Sequence, residues 1–244
     1  MTTVLVTGAT GTLGTPTVAR LRAAGHEIRA LSRRRAPGLV TGDLLTGAGL
    51  EQALEDAGTV LHLSTAQSHK DVAATRTLLT AASAAGVGHV VLISIVGIES
   101  VPIGYYKDKV TIERLVAEST LPYTVLRATQ FHSLVASVFG AQRFSPVLLA
   151  PAVPLQPVAV EEVADRLAEL AEGPAAGRVA DIAGPEQLRM TELAHQWRSA
   201  KGSRRPVVPL RLPGKIFGGY AGGGVLVPGP AYGRISFAEY LAGR

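Results

Sequence analysis

The stretch VTGATGTLG, residues 6–14, carries three glycines at intervals of three, Gly8, Gly11 and Gly14. A short apolar run precedes it, and residues 15–25 after it have the apolar spacing of a helix. In a strand-to-helix turn, the first glycine permits a tight bend and the second lets backbone amides approach a pyrophosphate. The third lets the helix pack closely on the strand. This context predicts a dinucleotide site, with a purely structural turn as the alternative.

The rest of the first half alternates in the same way. Helical spacing recurs in residues 49–58, 71–86 and 106–119, and several of these segments end in glycine. Short runs rich in Val, Leu and Ile predict buried parallel strands at residues 4–8, 28–32, 59–64, 89–94 and 123–128. Strict alternation of strand and helix predicts an α/β fold, a doubly wound parallel sheet of the Rossmann kind.

Beyond residue 132 the alternation loosens. Residues 1–132 are expected to form the dinucleotide-binding core, and residues 133–244 the remaining core elements and a small C-terminal, substrate-binding cap of the same continuous fold. Glycine and proline are frequent in residues 217–233, which predicts an irregular, mobile loop over the site. The other segments predicted here are a proline-rich piece, a helix, a strand and a helix, at residues 145–157, 160–173, 178–184 and 191–202.

Composition narrows the function classes. The chain has 244 residues, 47% of them hydrophobic, with no cysteine, so thiolate catalysis and disulfides are excluded. Its longest apolar run, residues 89–98, is far shorter than the roughly 18 residues of a membrane span, and no export signal is visible. We therefore expect a cytoplasmic protein that acts on a small-molecule substrate, without membrane or nucleic acid. A homodimer is compatible with the sequence.

The end of the second predicted strand indicates which cofactor is bound. An NAD site places a carboxylate there for the adenosine ribose, and none is present. Instead Ser32, Arg33 and Arg34 follow, a hydroxyl and two cations suited to a 2′-phosphate. NADP(H) is therefore predicted in preference to NAD(H). The alternatives are that the arginines only solvate a loop or, given the net charge of +5, contact nucleic acid.

Several motifs resemble a known family. TGATGTLG resembles the fingerprint of extended and atypical short-chain dehydrogenases/reductases, and YYKDKVTIERLV (105–116) with LPYTVLRATQFH (121–132) narrows the resemblance to the NmrA-like branch. The likeness covers essentially the whole chain, although Ala128 stands where relatives usually have proline. It implies that an NADP(H) cofactor contacts Gly8, Thr10, Gly11, Thr12, Leu13, Gly14, Ser32, Arg33, Arg34, Asp43, Leu44, Leu63, Ser64 and Lys109. Asp43 would accept a bond from the adenine amino group, and the alternative is a cap or turn residue.

The candidate catalytic residues follow from proton chemistry. Reduction of a carbonyl needs an acid, and a tyrosine serves better when a cation favours its phenolate. Tyr105 and Lys109, four residues apart, share one helix face. The resemblance adds that Lys109 also bonds the nicotinamide ribose and that Ser94 orients the substrate oxygen. Tyr106 competes with Tyr105 for the role of acid, and Ser94 has a structural alternative.

The segment after the sixth strand supplies the candidate substrate contacts, Gln130, Phe131 and His132. For His132 the alternative is a histidine that only lines a loop. No histidine has the close partner spacing of a metal site, so no metal is predicted.

Together these residues predict an NADPH-dependent oxidoreductase that reduces a small apolar carbonyl compound or quinone by hydride transfer. The alternative is a non-catalytic NADP(H)-binding redox sensor of the NmrA type, which regulates a protein partner.

The arginine assignment is testable by binding. If one arginine makes a charged hydrogen bond to the 2′-phosphate, NADPH should bind about 10- to 150-fold more tightly than NADH. Arg33→Ala should reduce this preference, as measured by the two dissociation constants for both proteins. Equal wild-type affinities for NADH and NADPH would contradict the assignment.

Overall fold

The computed structural model describes residues 2–211 and 213–243. Eleven strands are assigned in this part of the chain: β1 (Thr3–Thr7), β2 (Glu27–Ser32), β3 (Val40–Thr41), β4 (Ala57–His62), β5 (His89–Ile95), β6 (Tyr123–Ala128), β7 (Leu148–Pro151), β8 (Pro154–Leu155), β9 (Gly177–Arg178), β10 (Leu188–Arg189) and β11 (Val207–Leu210). The helices assigned there are α1 (Gly14–Ala23), α2 (Leu50–Leu54), α3 (Lys70–Ala84), α4 (Gly104–Ala117), α5 (His132–Gly140), α6 (Val160–Glu172), α7 (Met190–Ala200), α8 (Lys215–Ala221) and α9 (Phe237–Leu241).

The main sheet is parallel and has the predicted Rossmann topology. Its strand order is β3-β2-β1-β4-β5-β6-β9, so the chain winds outward from β1 in one direction and then from β4 in the other. In register, Leu5 of β1 lies between Arg29 of β2 and Val60 of β4. Leu5, Val60 and Leu92 are fully buried, as expected for strands covered on both faces. The five strands and four helices predicted in the first half are confirmed, with ends shifted by a few residues.

The contacts divide the described residues into two compact units. The first comprises residues within 1–94, 107–127 and 163–180 and contains nearly all of the main sheet. The second comprises residues within 95–106, 128–162 and 181–244. It contains two small sheets, in which β8 pairs antiparallel with β10 and β7 pairs parallel with β11. Within the described residues, no helix is long and apolar enough to cross a membrane.

Two predicted elements differ from the structure. Residues 217–221, predicted to be irregular, belong to helix α8. Glycine weakens an isolated helix, but Gly219 packs against the backbone of Ser100, and this tertiary contact offsets the poor propensity. The strand predicted at 178–184 is reduced to β9 and one isolated bridge between Ala128 and Ile182.

Within the first unit, Arg127 of β6 and Glu113 of α4 form a buried ion pair. Two guanidinium N–H groups bond the two carboxylate oxygens at 2.8 and 2.6 Å, and the side chains are 6% and 13% exposed. A bidentate pair of this kind joins the helix to the sheet. Removing one partner leaves the other charge buried without that compensation, which is costly.

We therefore expect Glu113→Gln to lower the free energy of unfolding by about 3 kcal/mol, measured by denaturant titration. The matched control is Glu169→Gln, which removes the carboxylate of the exposed pair with Arg166 and should cost about 0.5 kcal/mol or less. If both variants lose the same free energy of unfolding, burial does not explain the contribution of the Glu113–Arg127 pair to stability.

Candidate functional site

The turn between β1 and α1 is built on backbone contacts that exclude side chains. Gly8 has a φ of +69°, and a Cβ there would lie 2.8 Å from the amide nitrogen of Ser64. A Cβ at Gly14 would overlap the carbonyl oxygen of Gly8, and one at Gly11 would approach that oxygen to 3.2 Å. The predicted roles of these glycines in bending and close packing are consistent with these contacts.

The same turn offers backbone donors at the start of α1. The Gly11 amide bonds the Gly8 carbonyl at 3.0 Å, whereas the amides of Thr12 and Leu13 have no partner among the described residues. The first turn of α1 contains no acidic residue and no side-chain cap. An open helix N-terminus of this length attracts anions, so the residues present fit the pyrophosphate of a dinucleotide.

The loop after β4 lies beside this turn and is tied down by two side chains. The Thr7 hydroxyl accepts hydrogen bonds from the amides of Leu63 and Ser64, both at 3.2 Å. The buried Asp71 carboxylate accepts bonds from the Thr65 hydroxyl at 2.6 Å and from the amides of residues 66 and 67 at 2.7 and 3.1 Å. These bonds fix the backbone that carries Leu63 and Ser64, the predicted cofactor contacts.

His62 holds this loop as a neutral imidazole. The Thr75 hydroxyl donates to the Asp71 carbonyl, so its oxygen accepts from His62 Nε2 at 3.0 Å. His62 Nδ1 is then unprotonated and accepts from the Thr7 hydroxyl at 2.8 Å. Burial, followed by the nearby positive charge of Lys109, lowers the pKa of His62 to about 3, although Asp71 opposes the shift. The ring is therefore a fixed spacer between β4, β1 and α3.

At the end of β2, Ser32 Oγ accepts the amide of Arg34 at 3.0 Å, and the side chains of Arg33 and Arg34 are exposed. The exposed guanidinium groups fit a phosphate ligand. Asp43 Oδ1 accepts the Leu45 amide at 2.8 Å, which is the turn role weighed for it above, and Leu44 packs against the apolar core.

At the carboxyl end of β5, a buried lysine bonds a backbone carbonyl, and the next residue is a serine whose hydroxyl has no partner in the part of the chain that the structure describes. Lys109 of α4 is 5% exposed, and its Nζ donates to the carbonyl of Ile93 at 3.3 Å. Burial lowers the pKa of Lys109, and the charges of Asp71 and Glu113 oppose that shift. The next residue, Ser94, is 3% exposed, and its hydroxyl has no hydrogen-bond partner among the described residues. A buried hydroxyl of this kind costs free energy unless a ligand satisfies it.

The two candidate tyrosines both belong to the second unit, but their surroundings differ. Tyr106 is 6% exposed, and its hydroxyl lies 3.2 Å from that of Tyr220. Burial and this hydrogen bond raise the pKa of Tyr220 above its usual range. Tyr105 is only half-buried, and its ring centroid lies 6.2 Å from that of Tyr106 in a tilted arrangement. Tyr106 is thus held by the C-terminal part of the chain through Tyr220.

The three predicted substrate contacts have different surroundings in the second unit. The side-chain amide of Gln130 is buried, with neither its oxygen nor its nitrogen bonded among the described residues. Phe131 is half-buried at the start of α5. His132 is 1% exposed, donates from Nε2 to the Ile235 carbonyl at 3.0 Å and stacks on Tyr240. Its burial lowers its pKa. His132 therefore packs against the C-terminal segment through Nε2 and its ring, while its Nδ1, like the side-chain amide of Gln130, has no hydrogen-bond partner among the described residues.

Comparison with known proteins identifies the family of the chain. The model of the NmrA-like family matches residues 1–221. The chain belongs to this family. No curated protein matches this NmrA-like chain in sequence.

Solved structures share the fold of this NmrA-like chain over nearly its full length. The NADPH-dependent quinone oxidoreductase QOR2 from Escherichia coli, complexed with NADPH, is 22% identical, with a TM-score of 0.83 over 98% of this chain and 99% of that one. A nucleoside-diphosphate-sugar epimerase from Staphylococcus aureus is 17% identical, with a TM-score of 0.84 over 99% of both chains. A short-chain dehydrogenase/reductase superfamily protein from Agrobacterium tumefaciens with bound NAD is 21% identical, with a TM-score of 0.71 over 87% of this chain and 86% of that one.

Sequence reasoning missed the residues that hold the site. Thr7 belongs to the glycine motif, so its place beside the turn could have been noticed. Asp71 bonds residues only four to six positions before it, whereas His62 gave no such signal, because its partners are distant in sequence. His62 bonds Thr7 across 55 positions, for example. The role of His62 depends on β1 and β4, which become neighbours only in the folded sheet.

The neutral state of His62 predicts a pH dependence of stability. In the unfolded chain its pKa returns to about 6.5, so below that pH the unfolded state binds a proton that the folded state does not take up until about pH 3. His62 therefore contributes its full stabilisation above pH 6.5, and this contribution is lost as the pH falls toward 3. The loss is about 1.4 kcal/mol per pH unit.

His62→Gln keeps an acceptor and a donor but cannot titrate, so it is the matched comparison. Between about pH 4 and 6, the free energy of unfolding of the wild type should fall more steeply with acid than that of the variant, measured by denaturant titration at each pH. Parallel pH profiles would contradict the neutral assignment.

Proposed function

We propose that this protein is an NADPH-dependent oxidoreductase that reduces a small apolar carbonyl compound or quinone by hydride transfer. The observation that carries the proposal is the buried amine of Lys109, which bonds the carbonyl of Ile93, while the next residue, Ser94, has an unsatisfied hydroxyl and Tyr105 lies one turn earlier in α4. The similar Escherichia coli protein, an NADPH-dependent quinone oxidoreductase, supports the reaction class.

The cofactor preference rests on the end of β2. Gly8, Gly11 and Gly14 leave room for a pyrophosphate at the start of α1, and the exposed Arg33 and Arg34 suit a 2′-phosphate. When bound, the reduced nicotinamide supplies the hydride.

The chain's own residues then handle the proton and the substrate oxygen. Tyr105 donates a proton to the developing alkoxide, and the positive charge of Lys109 stabilises the phenolate that remains. The Ser94 hydroxyl, which needs a partner, donates a hydrogen bond to the substrate oxygen. The equally unsatisfied amide of Gln130 is assigned to substrate binding, together with the half-buried ring of Phe131.

The proposal is tested by mixing the purified protein with NADPH and a panel of quinones, enones and aldehydes while following the cofactor's absorbance. Oxidation of NADPH that depends on both protein and acceptor is the expected result. Tight NADPH binding without turnover on any acceptor would instead favour the alternative, a redox sensor that binds the dinucleotide and regulates a protein partner.

Three variants separate the catalytic roles. Tyr105→Phe removes only the hydroxyl, so NADPH affinity should persist while kcat falls by about 10²- to 10⁴-fold. Lys109→Met removes the cation and a ribose contact, so both kcat and NADPH affinity should fall. Tyr106→Phe removes the neighbouring hydroxyl, which is engaged with Tyr220, so it should lower kcat much less than Tyr105→Phe does. If Tyr105→Phe keeps full activity and Tyr106→Phe loses its activity, the general acid is Tyr106 and not Tyr105.

A further inference from the structure

The C-terminal part of the second unit makes unusually close backbone contacts with residues 97–101. A Cβ at Gly219 of α8 would overlap the Ser100 carbonyl oxygen, far inside the 3.0 Å limit of real Cβ contacts. A Cβ at Gly224 would overlap the Ser100 side chain. From the opposite side, Gly97, with a φ of +80°, leaves no room for a Cβ because it faces the Gly224 carbonyl. The two segments therefore meet backbone to backbone.

Polar contacts and buried side chains extend this contact between the two segments. The hydroxyls of Tyr106 and Tyr220 lie 3.2 Å apart, and Val225 and Val101 are fully buried. Just beyond, the Val227 amide donates to the buried side chain of Gln156 at 2.9 Å. Residues 215–225, called the clamp segment below, are thus anchored at both their helical part and their loop part.

The clamp segment holds the connection that sets the position of the candidate acid. Residues 97–101 follow β5, which ends directly after Ser94, and precede α4, whose second residue is Tyr105. The connection is short and closed by the Ser100 amide on the Gly97 carbonyl at 3.0 Å. Any shift of this turn would move the start of α4, and with it the Tyr105 hydroxyl.

We infer that the clamp segment is a positioning device for Tyr105, in which Gly219 and Gly224 fix the preceding turn and Tyr220 fixes the neighbouring Tyr106. This inference rests on the proposed function, because it concerns the placement of the proposed acid. It differs from the loop predicted over the site, since its contacts are with the turn before α4. Tyr220 acts through Tyr106 and is a positioning residue.

The variant Gly219→Ala tests the inference against a matched control in the same helix. Gly218→Ala adds the same methyl group at a position with nothing within 4 Å of the new Cβ. A misplaced acid lowers kcat, whereas a binding defect raises KM or the cofactor dissociation constant. We expect Gly219→Ala to lower kcat at least about 10-fold, with NADPH affinity within about twofold of wild type. Gly218→Ala should match the wild type in both.

Hydrogen exchange gives a readout that does not depend on turnover. Amides in residues 97–106 should exchange faster in Gly219→Ala than in the wild type and at wild-type rates in Gly218→Ala, measured with and without NADP⁺. Should Gly219→Ala fold poorly, Tyr220→Phe replaces it, because it removes one hydroxyl without adding atoms. It should also lower kcat at constant NADPH affinity.

The outcomes separate this inference from the proposed function. If no acceptor is reduced by the wild type, the proposed function fails, and the exchange rates alone decide whether the clamp segment holds the turn. If the wild type is active and Gly219→Ala exchanges faster but keeps its kcat, the clamp does not position the acid and the inference is overturned. Unchanged exchange in residues 97–106 overturns it in either case.

Discussion

The contact between Gly14 and the carbonyl of Gly8 is the constraint from which the first unit is built. Because neither residue carries a side chain, the backbone at the start of α1 can lie in close contact with the turn that follows β1. The same compactness lets Gly8 reach the amide of Ser64 and lets Thr7 bond Leu63 and Ser64. A single close backbone approach thus aligns two strand ends and leaves the amides of Thr12 and Leu13 at the start of α1 without partners among the described residues.

Around this contact the first unit buries several polar and charged side chains. His62, Asp71 and Lys109 are each 6% exposed or less, and each is satisfied by specific bonds. Burying charges costs desolvation, so such a network is rarely the most stable choice for a core. It is retained here at the carboxyl edge of a parallel sheet, where ligands bind in folds of this kind. The desolvation cost of these buried groups fits a site that holds its side chains in fixed positions before a ligand binds.

The limits of sequence reasoning are visible in particular segments. The strands and helices of the first half follow from periodicity, because burial on both faces of a parallel sheet demands continuous apolar runs. In residues 217–221 the same reasoning failed, because the glycines that weaken a helix in isolation are there to permit contact with Ser100. For His132, the sequence could not distinguish a ligand contact from a packed side chain. The answer depended on Ile235 and Tyr240, which are more than 100 positions away.

The sequence by itself determined the fold class, the glycine turn and the identity of the groups at each strand end, because these follow from backbone geometry within a few neighbouring residues. Only the tertiary structure decided how those groups are used. It made His62 a neutral spacer, tied Tyr106 to Tyr220 across 114 positions and left Ser94 and Gln130 with buried polar atoms in need of partners. Hydrogen-bond satisfaction depends on which distant residues share the same buried volume, and that is settled only when the chain has folded.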